Sequence, residues 1–179
     1  MTKIQDMYMQ KCETPSDIHE HLPTLQRYAS QSKVVAELGV RWVVSTWAFL
    51  NSTAERVYSY DVKEYPEVEE CRKVCAEEGK HWEFVLESSL TATLPPDVDM
   101  LFVDTLHNYM QVKLELERHA DSVRKYIAFH DTFAFRTVGM DSGEGIYKAI
   151  EEFMAGHPEW KKVYETDNNN GLMVIQRVV

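Results

Sequence analysis

Residues 99–135 read DMLFVDTLHNYMQVKLELERHADSVRKYIAFHDTFAF, and this stretch decides the fold. Two short apolar runs within it, residues 100–103 and 126–129, each stop at ionisable residues. The apolar residues between the runs recur every three or four positions, which predicts a helix with one buried face. These residues are Leu106, Tyr109, Val112, Leu116 and Ala120. Because short, wholly apolar strands are typical of a parallel sheet covered on both faces, the stretch predicts a strand, a crossover helix and a second, parallel strand.

Four ionisable side chains follow these two strands: Asp104, His107, His130 and Asp131. The carboxyl ends of parallel strands meet at one edge of the sheet, where α/β folds bind their ligands, so we expect a functional cluster there. Carboxylates crowded together repel each other unless a cation or a proton lies between them. A structural alternative stays open for each residue, since Asp104, for example, could cap a helix that begins near Leu106.

The first clear strand, VVAEL at residues 34–38, carries Glu37 and runs directly into Gly39. Ser45 or Thr46 can cap the helix that follows. A strand, a turn with glycine and a capped helix form the first half of a nucleotide-binding unit. Only one glycine is present where a dinucleotide fingerprint has three, which disfavours the close approach of a pyrophosphate.

The second and third strands also end at polar residues. The second strand, residues 56–60, is followed by Asp61. An acid at this point, roughly 20 residues beyond the first turn, is where such folds hold ribose hydroxyls, although a turn-forming Asp is the structural alternative. The third strand, residues 82–86, leads to Ser88 and Ser89.

Helix signals and a closing hairpin complete the domain. Pro66 is placed to open a helix and Gly79 to stop it. Residues 162–166 and 172–178 are rich in β-forming residues and are joined by a short loop of Asn and Gly, which predicts a hairpin. Because hairpin strands are antiparallel, the last strand should run against the rest of the sheet. Residues 33–179 are therefore expected to form a single α/β domain.

The first 32 residues are expected to be a helical lead-in to this domain. His19 and His21 lie in it and are most simply histidines on a solvated surface. The alternative is that residues 1–32 fold over a substrate pocket as a lid.

The charge balance argues against two classes of partner. The chain has 19 Lys plus Arg against 29 Asp plus Glu, a formal net charge of -10. We therefore expect neither nucleic acid nor a membrane as a partner, since nucleic acids and anionic membranes bind clustered cations. No run approaches the ~20 apolar residues of a membrane span, and the first residues lack the apolar core of a signal peptide. Together with three cysteines, too few for a disulfide framework, these features predict a cytoplasmic protein.

Parallel strands that alternate with helices and end in a hairpin with one reversed strand resemble the class I S-adenosylmethionine-dependent methyltransferases. AELGVRWVVSTWAFL (36–50) resembles the first motif of that superfamily, and YSYDV (58–62) resembles its ribose-binding acid. The resemblance covers residues 33–179. It implies a Rossmann-like methyltransferase sheet of seven strands, mostly parallel with the last strand antiparallel, and helices on both faces.

The most specific part of the resemblance lies after the fourth and fifth strands. The pattern D-x-x-H-x-Y-x-x-V at residues 104–112 and the HDT at 130–132 are similar to one branch of the superfamily. That branch holds small-molecule and sugar O-methyltransferases and cephalosporin-hydroxylase-like proteins. The closing NNNGLMVIQR (168–177) is similar to this branch too.

The resemblance implies S-adenosylmethionine as the cofactor and assigns its contacts by position. The implied cofactor-binding residues are Glu37, Gly39, Ser45, Asp61, Ser88, Ser89 and Asp104. Glu37 and Gly39 would line the methionine end and Asp61 would bind the ribose hydroxyls. Ser88 or Ser89 would lie near the adenine. In metal-dependent relatives, residues after the fourth and fifth strands hold Mg²⁺, which corresponds to Asp104 and Asp131 here.

We therefore expect methyl transfer to a hydroxyl of a small-molecule acceptor. His107 or His130 would take the hydroxyl proton, since an imidazole pKa of about 6.5 suits a base at neutral pH, with Asp104 beside the sulfonium. Alternatively, Mg²⁺ would lower the pKa of the hydroxyl. A protein that binds S-adenosylmethionine or a nucleoside without transferring a methyl group is the alternative from another class. A nicotinamide-dependent oxidoreductase is disfavoured by the missing glycine fingerprint, and a homodimer is expected because the compact domain has no cap of its own.

Overall fold

The computed structural model describes residues 1–178 and is organised around a seven-stranded sheet. The strands are β1 Val34–Leu38, β2 Arg56–Asp61, β3 His81–Leu86, β4 Val98–Val103, β5 Val123–His130, β6 Trp160–Thr166 and β7 Leu172–Arg177. Their order is β3-β2-β1-β4-β5-β7-β6, with β1 to β5 parallel and β7 antiparallel to both β5 and β6. The predicted α/β sheet with a reversed last strand is confirmed.

Helices cover both faces of the sheet. They are α1 Lys3–Glu13, α2 Leu22–Ala29, α3 Val44–Leu50, α4 Pro66–Glu78, α5 Tyr109–His119 and α6 Ile146–Gly156. The first four pack on one face through buried residues such as Leu25 and Trp47, and the last two pack on the other through residues such as Leu116 and Ile150. Because β4 is covered on both sides, every one of its residues is buried. Among residues 1–178, no helix is long and apolar enough to cross a membrane.

The ends of α4 follow the sequence signals. Pro66 is its first residue, where the missing backbone N–H of proline is not needed. Gly79 ends it with a φ of 66° and donates its backbone N–H to the carbonyl of Cys75. A left-handed residue at this position is the usual role of glycine after a helix.

Two predicted helix starts are wrong. The crossover helix α5 begins at Tyr109 rather than near Leu106, because the side chain of Asn108 accepts the backbone N–H of Gln111 and acts as its cap. Asp104 therefore does not cap it, and His107 lies in the loop before the helix. The helix α3 begins after Val43, and the hydroxyls of Ser45 and Thr46 donate to Glu37 instead of capping the helix.

The N-terminal helices form part of the core as well as a lead-in. Ile4, Leu22 and Leu25 are buried in the same apolar cluster as residues of α3 and α4. His21 is only 1% exposed, so the prediction that it lies on a solvated surface is wrong. The chain between α1 and α2 passes the carboxyl edge of the sheet, where Asp17 borders the main cavity.

Candidate active site

A cavity of about 500 Å³ opens at the carboxyl ends of the parallel strands. The loops that follow β1 to β5 all contribute to its wall, as expected for an open α/β sheet. Of the residues predicted from the sequence, those that line it are Gly39, Asp61, Ser88, Ser89, Asp104, His107 and Asp131. The structure thus brings most of the predicted site residues into one space.

Two carboxylates and two imidazoles meet at the end of β4 and β5. His107 Nε2 lies 3.2 Å from Asp104 Oδ1 and 2.8 Å from Asp131 Oδ2. His130 Nδ1 lies 3.3 Å from each of the same two oxygens. Each imidazole therefore bridges both carboxylates, and the predicted cluster of four residues forms.

The two histidines hold their protons tightly in this cluster. Burial lowers the pKa of His107, but the hydrogen bonds and charges of Asp104 and Asp131 outweigh it and raise the pKa to about 9. The pKa of His130 is also raised well above its usual value, again because the two carboxylates outweigh burial. Burial raises the pKa of Asp104, but the charge on His130 and the hydrogen bonds from both imidazoles leave it lowered to about 2. The two carboxylates therefore favour the protonated form of each imidazole, in which Nε2 of His107 donates a hydrogen bond to them.

Asp131 occupies a special backbone position. Its φ of 60° lies in the left-handed region, which Asp tolerates better than most residues and which is frequent at functional sites. The residue is 4% exposed and lines the cavity. Within the part of the chain that the structure describes, its Oδ1 atom is buried without a hydrogen-bond partner, and so is Nδ1 of His107. A buried carboxylate oxygen without a partner is costly, so a ligand at this point would satisfy it.

The cluster has donor atoms suited to a divalent cation. One ligand atom each from Asp104, His107 and Asp131 lies within 4.8 Å of the others. Carboxylate oxygens suit Mg²⁺, while the imidazole nitrogen also suits transition metals. These residues could therefore hold a metal ion, and His107 joins the two residues predicted for that role.

Sequence reasoning missed the residues behind His130. Its Nε2 donates to the backbone carbonyl of Asp17 at 3.0 Å, and the ring of His21 packs against its ring at a centroid distance of 5.5 Å. His21 Nε2 in turn lies 3.0 Å from the carbonyl of Asn169, in the loop between β6 and β7. Segments at the two ends of the chain thus meet over His130, and no local sequence pattern could show this.

Gly39 allows the loops after β1 and β4 to touch. Its φ is 87°, and a Cβ atom there would lie 1.9 Å from the backbone oxygen of Asp104. The amide of Asp104 donates to the carbonyl of Leu38 at 2.9 Å, which holds the two loops together. Only glycine fits this position, both for its backbone conformation and for the contact.

Asp61 lines the cavity and also organises the loop after β1. Its Oδ2 accepts the backbone N–H groups of Val40 and Arg41 at 2.8 and 2.9 Å. Its Oδ1 accepts only the N–H of Lys63, at 3.0 Å, among the contacts of residues 1–178. Since a carboxylate oxygen has two lone pairs, Oδ1 can still accept a hydrogen bond from a ligand.

Glu37 and Ser45 lie beneath the loop and outside the cavity lining. Thr46 and Ser59 each donate to Oε2 of Glu37 at 2.7 Å, and Ser45 donates to Oε1. Burial raises the pKa of Glu37 to about 7, although the three hydroxyls oppose the shift. This placement supports the loop from below, and direct contact of Glu37 or Ser45 with a cofactor stays a prediction.

Comparisons with known proteins bear on the fold. No protein-family model matches the chain, and no curated protein matches it. The Podospora anserina methyltransferase PaMTH1, solved with S-adenosylhomocysteine bound, is 15% identical with a TM-score of 0.67, over 98% of this chain and 88% of that one. The N-methyltransferase NodS from Bradyrhizobium japonicum WM9, also in complex with S-adenosylhomocysteine, is 12% identical with a TM-score of 0.64, over 97% of this chain and 98% of that one.

A third similar structure is the Burkholderia thailandensis 1,6-didemethyltoxoflavin-N1-methyltransferase. It is 14% identical with a TM-score of 0.67, over 92% of this chain and 79% of that one. At identities this low, the likeness establishes the fold alone. The chain has the Rossmann-like methyltransferase fold.

Proposed function

We propose that this protein is an S-adenosylmethionine-dependent methyltransferase that methylates a hydroxyl of a small polar acceptor. One observation carries the proposal: a single cavity joins Gly39 and Asp61, where the cofactor would bind, to Asp104, His107 and Asp131. Its volume of about 500 Å³ is in the range of small-molecule sites. Donor and acceptor could lie side by side in it, as a direct displacement requires.

The cavity wall offers hydrogen-bond acceptors that suit S-adenosylmethionine. When bound, this cofactor supplies a methyl group on a positively charged sulfonium. Asp17 is paired with Arg41, and Asp104 and Asp131 are paired with the two imidazoles. Asp61 also borders the cavity and forms no salt bridge among residues 1–178, so its carboxylate would favour a cation. The free lone pair on Asp61 Oδ1 suits a ribose hydroxyl, which is a hydrogen-bond donor.

The acceptor hydroxyl would bind at the carboxylate pair. Asp131 Oδ1 is the buried acceptor atom without a partner among residues 1–178, so the hydroxyl would donate its hydrogen bond there. His107 holds the other oxygen of that carboxylate at 2.8 Å and fixes its direction. Before His107 can act as a base it must release the proton that the two carboxylates stabilise.

A metal ion offers a second way to prepare the hydroxyl. Asp104, His107 and Asp131 are the residues that would hold it, and it would lower the pKa of a hydroxyl bound to it. Such an ion competes with the proton for the imidazole nitrogen, so its binding would release protons. Chelation separates the two routes, because it would abolish turnover only if a metal takes part.

The test is product formation with a panel of small hydroxyl compounds. We expect S-adenosylhomocysteine to form in the presence of an accepted compound. His107→Ala and Asp131→Asn should each reduce the rate by about 100-fold or more, because positioned proton-transfer groups contribute at least that much. Asp121→Asn is a control that removes one exposed carboxylate at the start of β5, at the opposite end of the sheet.

Three outcomes would count against the proposal. Full activity in His107→Ala and Asp131→Asn would remove the cluster from the mechanism. Binding of S-adenosylmethionine without product for any acceptor would favour the alternative, a non-catalytic protein that binds this cofactor or a nucleoside. Absence of binding would reject the methyltransferase proposal altogether.

A further inference from the structure

A buried carboxylate lies behind one wall of the cavity and forms hydrogen bonds to the side chains that line it. Glu115, on α5, is 1% exposed. Its Oε1 accepts hydrogen bonds from Ser89 Oγ at 2.6 Å, Thr105 Oγ1 at 2.7 Å and Gln111 Nε2 at 2.7 Å. These three donors all line the cavity, so Glu115 contacts the wall from behind.

The carboxylate fixes the direction of every hydrogen in this wall. Oε1 of Glu115 accepts from both side chains, so the hydroxyl hydrogens of Ser89 and Thr105 point towards Glu115. The amide of Gln111 must present its NH₂ end to the same oxygen, and its second hydrogen goes to Ser89 Oγ at 3.0 Å. What remains for a ligand are one lone pair of Ser89 Oγ, the lone pairs of Thr105 Oγ1 and Oε1 of Gln111.

The position of Ser89 is fixed from a second side. His119 Nε2 donates to the backbone carbonyl of Ser89 at 2.6 Å, and His119 is itself 2% exposed. The burial of His119 and Glu115 leaves little freedom for Ser89 to rearrange when a ligand arrives. The wall is therefore a preorganised surface of hydrogen-bond acceptors.

A purely structural role would not need a carboxylate here. Oε2 of Glu115 is buried without a hydrogen-bond partner in the described part of the chain. Burial raises the pKa of Glu115, and a buried polar oxygen without a partner is unfavourable in itself, whereas an apolar side chain of similar size would avoid this cost. The carboxylate is explained if it orders the polar wall in front of it.

We propose that Glu115 is a positioning residue that makes this wall select a ligand edge carrying hydrogen-bond donors. This inference rests on the proposed function, which puts the adenine of the cofactor near Ser88 and Ser89. The amino group of adenine donates, whereas the oxo group of hypoxanthine at the same ring position accepts. Where the acceptor wall faces this ring position, it should bind the amino group and reject the oxo group, because the oxo group would face lone pairs. The proton on the ring nitrogen of hypoxanthine lies at the neighbouring position and does not replace the lost contact.

The experiment compares S-adenosylhomocysteine with S-inosylhomocysteine by calorimetric titration of the full chain. They differ by the replacement of the amino group with an oxo group and a proton on the ring nitrogen. The wild type should bind the inosyl compound at least about tenfold more weakly. Equal binding of the two by the wild type would overturn the inference and leave the proposed function intact. Failure to bind either would overturn both.

Two substitutions of Glu115 distinguish an effect on the orientation of the hydroxyl hydrogens from an effect on packing. Glu115→Gln keeps an acceptor oxygen for the three donors and should retain the preference. Glu115→Met removes the acceptor, frees the hydroxyls of Ser89 and Thr105 to turn towards the ligand, and should reduce the ratio of the two dissociation constants to about 3 or less. A merely structural residue would change both affinities together and leave the ratio unchanged, which would also overturn the inference.

A third variant covers the case in which Glu115→Met does not fold. Gln111→Leu removes the amide oxygen from the half-buried start of α5 together with one of the three hydrogen bonds to Glu115, while Ser89 and Thr105 still donate to the carboxylate. It should weaken S-adenosylhomocysteine binding several-fold and leave S-inosylhomocysteine binding almost unchanged. An unaltered ratio in a folded Gln111→Leu variant would contradict the proposed wall.

Discussion

Replacing Glu37 with Gln should change how the stability of the protein depends on pH. The Glu37 carboxyl is fully buried beneath the loop that follows β1 and receives hydrogen bonds from Ser45, Thr46 and Ser59. Burial nevertheless raises its pKa to about 7, above the value of 4.5 taken for an unperturbed glutamate. The folded state therefore keeps a proton at pH values where the unfolded chain has lost it.

The sign and size follow from proton linkage. Where the folded state binds more protons, the free energy of unfolding falls as pH rises, so Glu37 destabilises the fold increasingly between pH 4.5 and 7 and then levels off. At about 1.4 kcal/mol per pK unit, the full loss is about 3 kcal/mol. Most of this change falls between about pH 5 and about pH 8, because only a small part of the titration lies below that window. Gln cannot ionise, so the variant should escape this loss.

The assay is urea unfolding of wild type and Glu37→Gln at the two pH values. The difference in unfolding free energy between variant and wild type should move in favour of Gln by about 2–3 kcal/mol from about pH 5 to about pH 8. Other titrating groups are common to both proteins and cancel in this difference. A difference that stays constant with pH, or that moves in favour of Glu, would refute the argument.

Two further substitutions test contacts around the sheet. Gly39→Ala should cost more than about 2 kcal/mol of unfolding free energy, because its Cβ would lie 1.9 Å from the Asp104 carbonyl oxygen. Gly79→Ala is the control, because Gly79 has a similar φ but a Cβ atom there would meet no atom of residues 1–178 within 4 Å. Equal losses of unfolding free energy in the two variants would contradict the steric argument. Asp99→Ala should cost about 2 kcal/mol in urea unfolding, because Asp99 accepts the backbone N–H of Lys33 at 2.7 Å; wild-type stability would contradict this.

The sheet could be predicted because its signals are local. Short apolar runs that stop at polar residues define strands, and the Asn and Gly loop at residues 168–171 defines the closing hairpin. The carboxyl ends of parallel strands must share an edge, so Asp61, Asp104 and Asp131 could be placed together from the sequence. The structure confirms the seven-stranded, mostly parallel sheet with a reversed last strand and brings these residues to one cavity.

Other features depend on contacts between distant parts of the chain. His21 is buried because Asn169 and His130 lie against it, and neither is near it in sequence. The local sequence around Ser45 predicts a helix cap. In the fold, its hydroxyl instead donates a hydrogen bond to the buried carboxylate of Glu37, eight residues earlier. In both cases a tertiary partner competes with the local pattern, and only the fold decides the result.

The charge state of the cluster could not be read from the sequence either. A histidine at its usual pKa would serve as a base at neutral pH. His107 instead lies between two carboxylates, which raise its pKa to about 9 against the effect of burial. The sequence indicated that these groups would lie close together. The direction of the shift in the pKa of His107 depends on hydrogen-bond distances, which only the structure gives.

The central claim is that this cavity holds S-adenosylmethionine with its ribose on Asp61. The most direct measurement is calorimetric titration of wild type, Asp61→Asn and the control Asp121→Asn with this cofactor. Asp61→Asn keeps one oxygen for the amides of Val40 and Arg41 but loses the charged acceptor. The account predicts saturable binding to wild type and control, and a loss of about 1.5 kcal/mol, roughly tenfold in affinity, in Asp61→Asn. Undetectable binding to the wild type, or equal affinity in all three proteins, would contradict it.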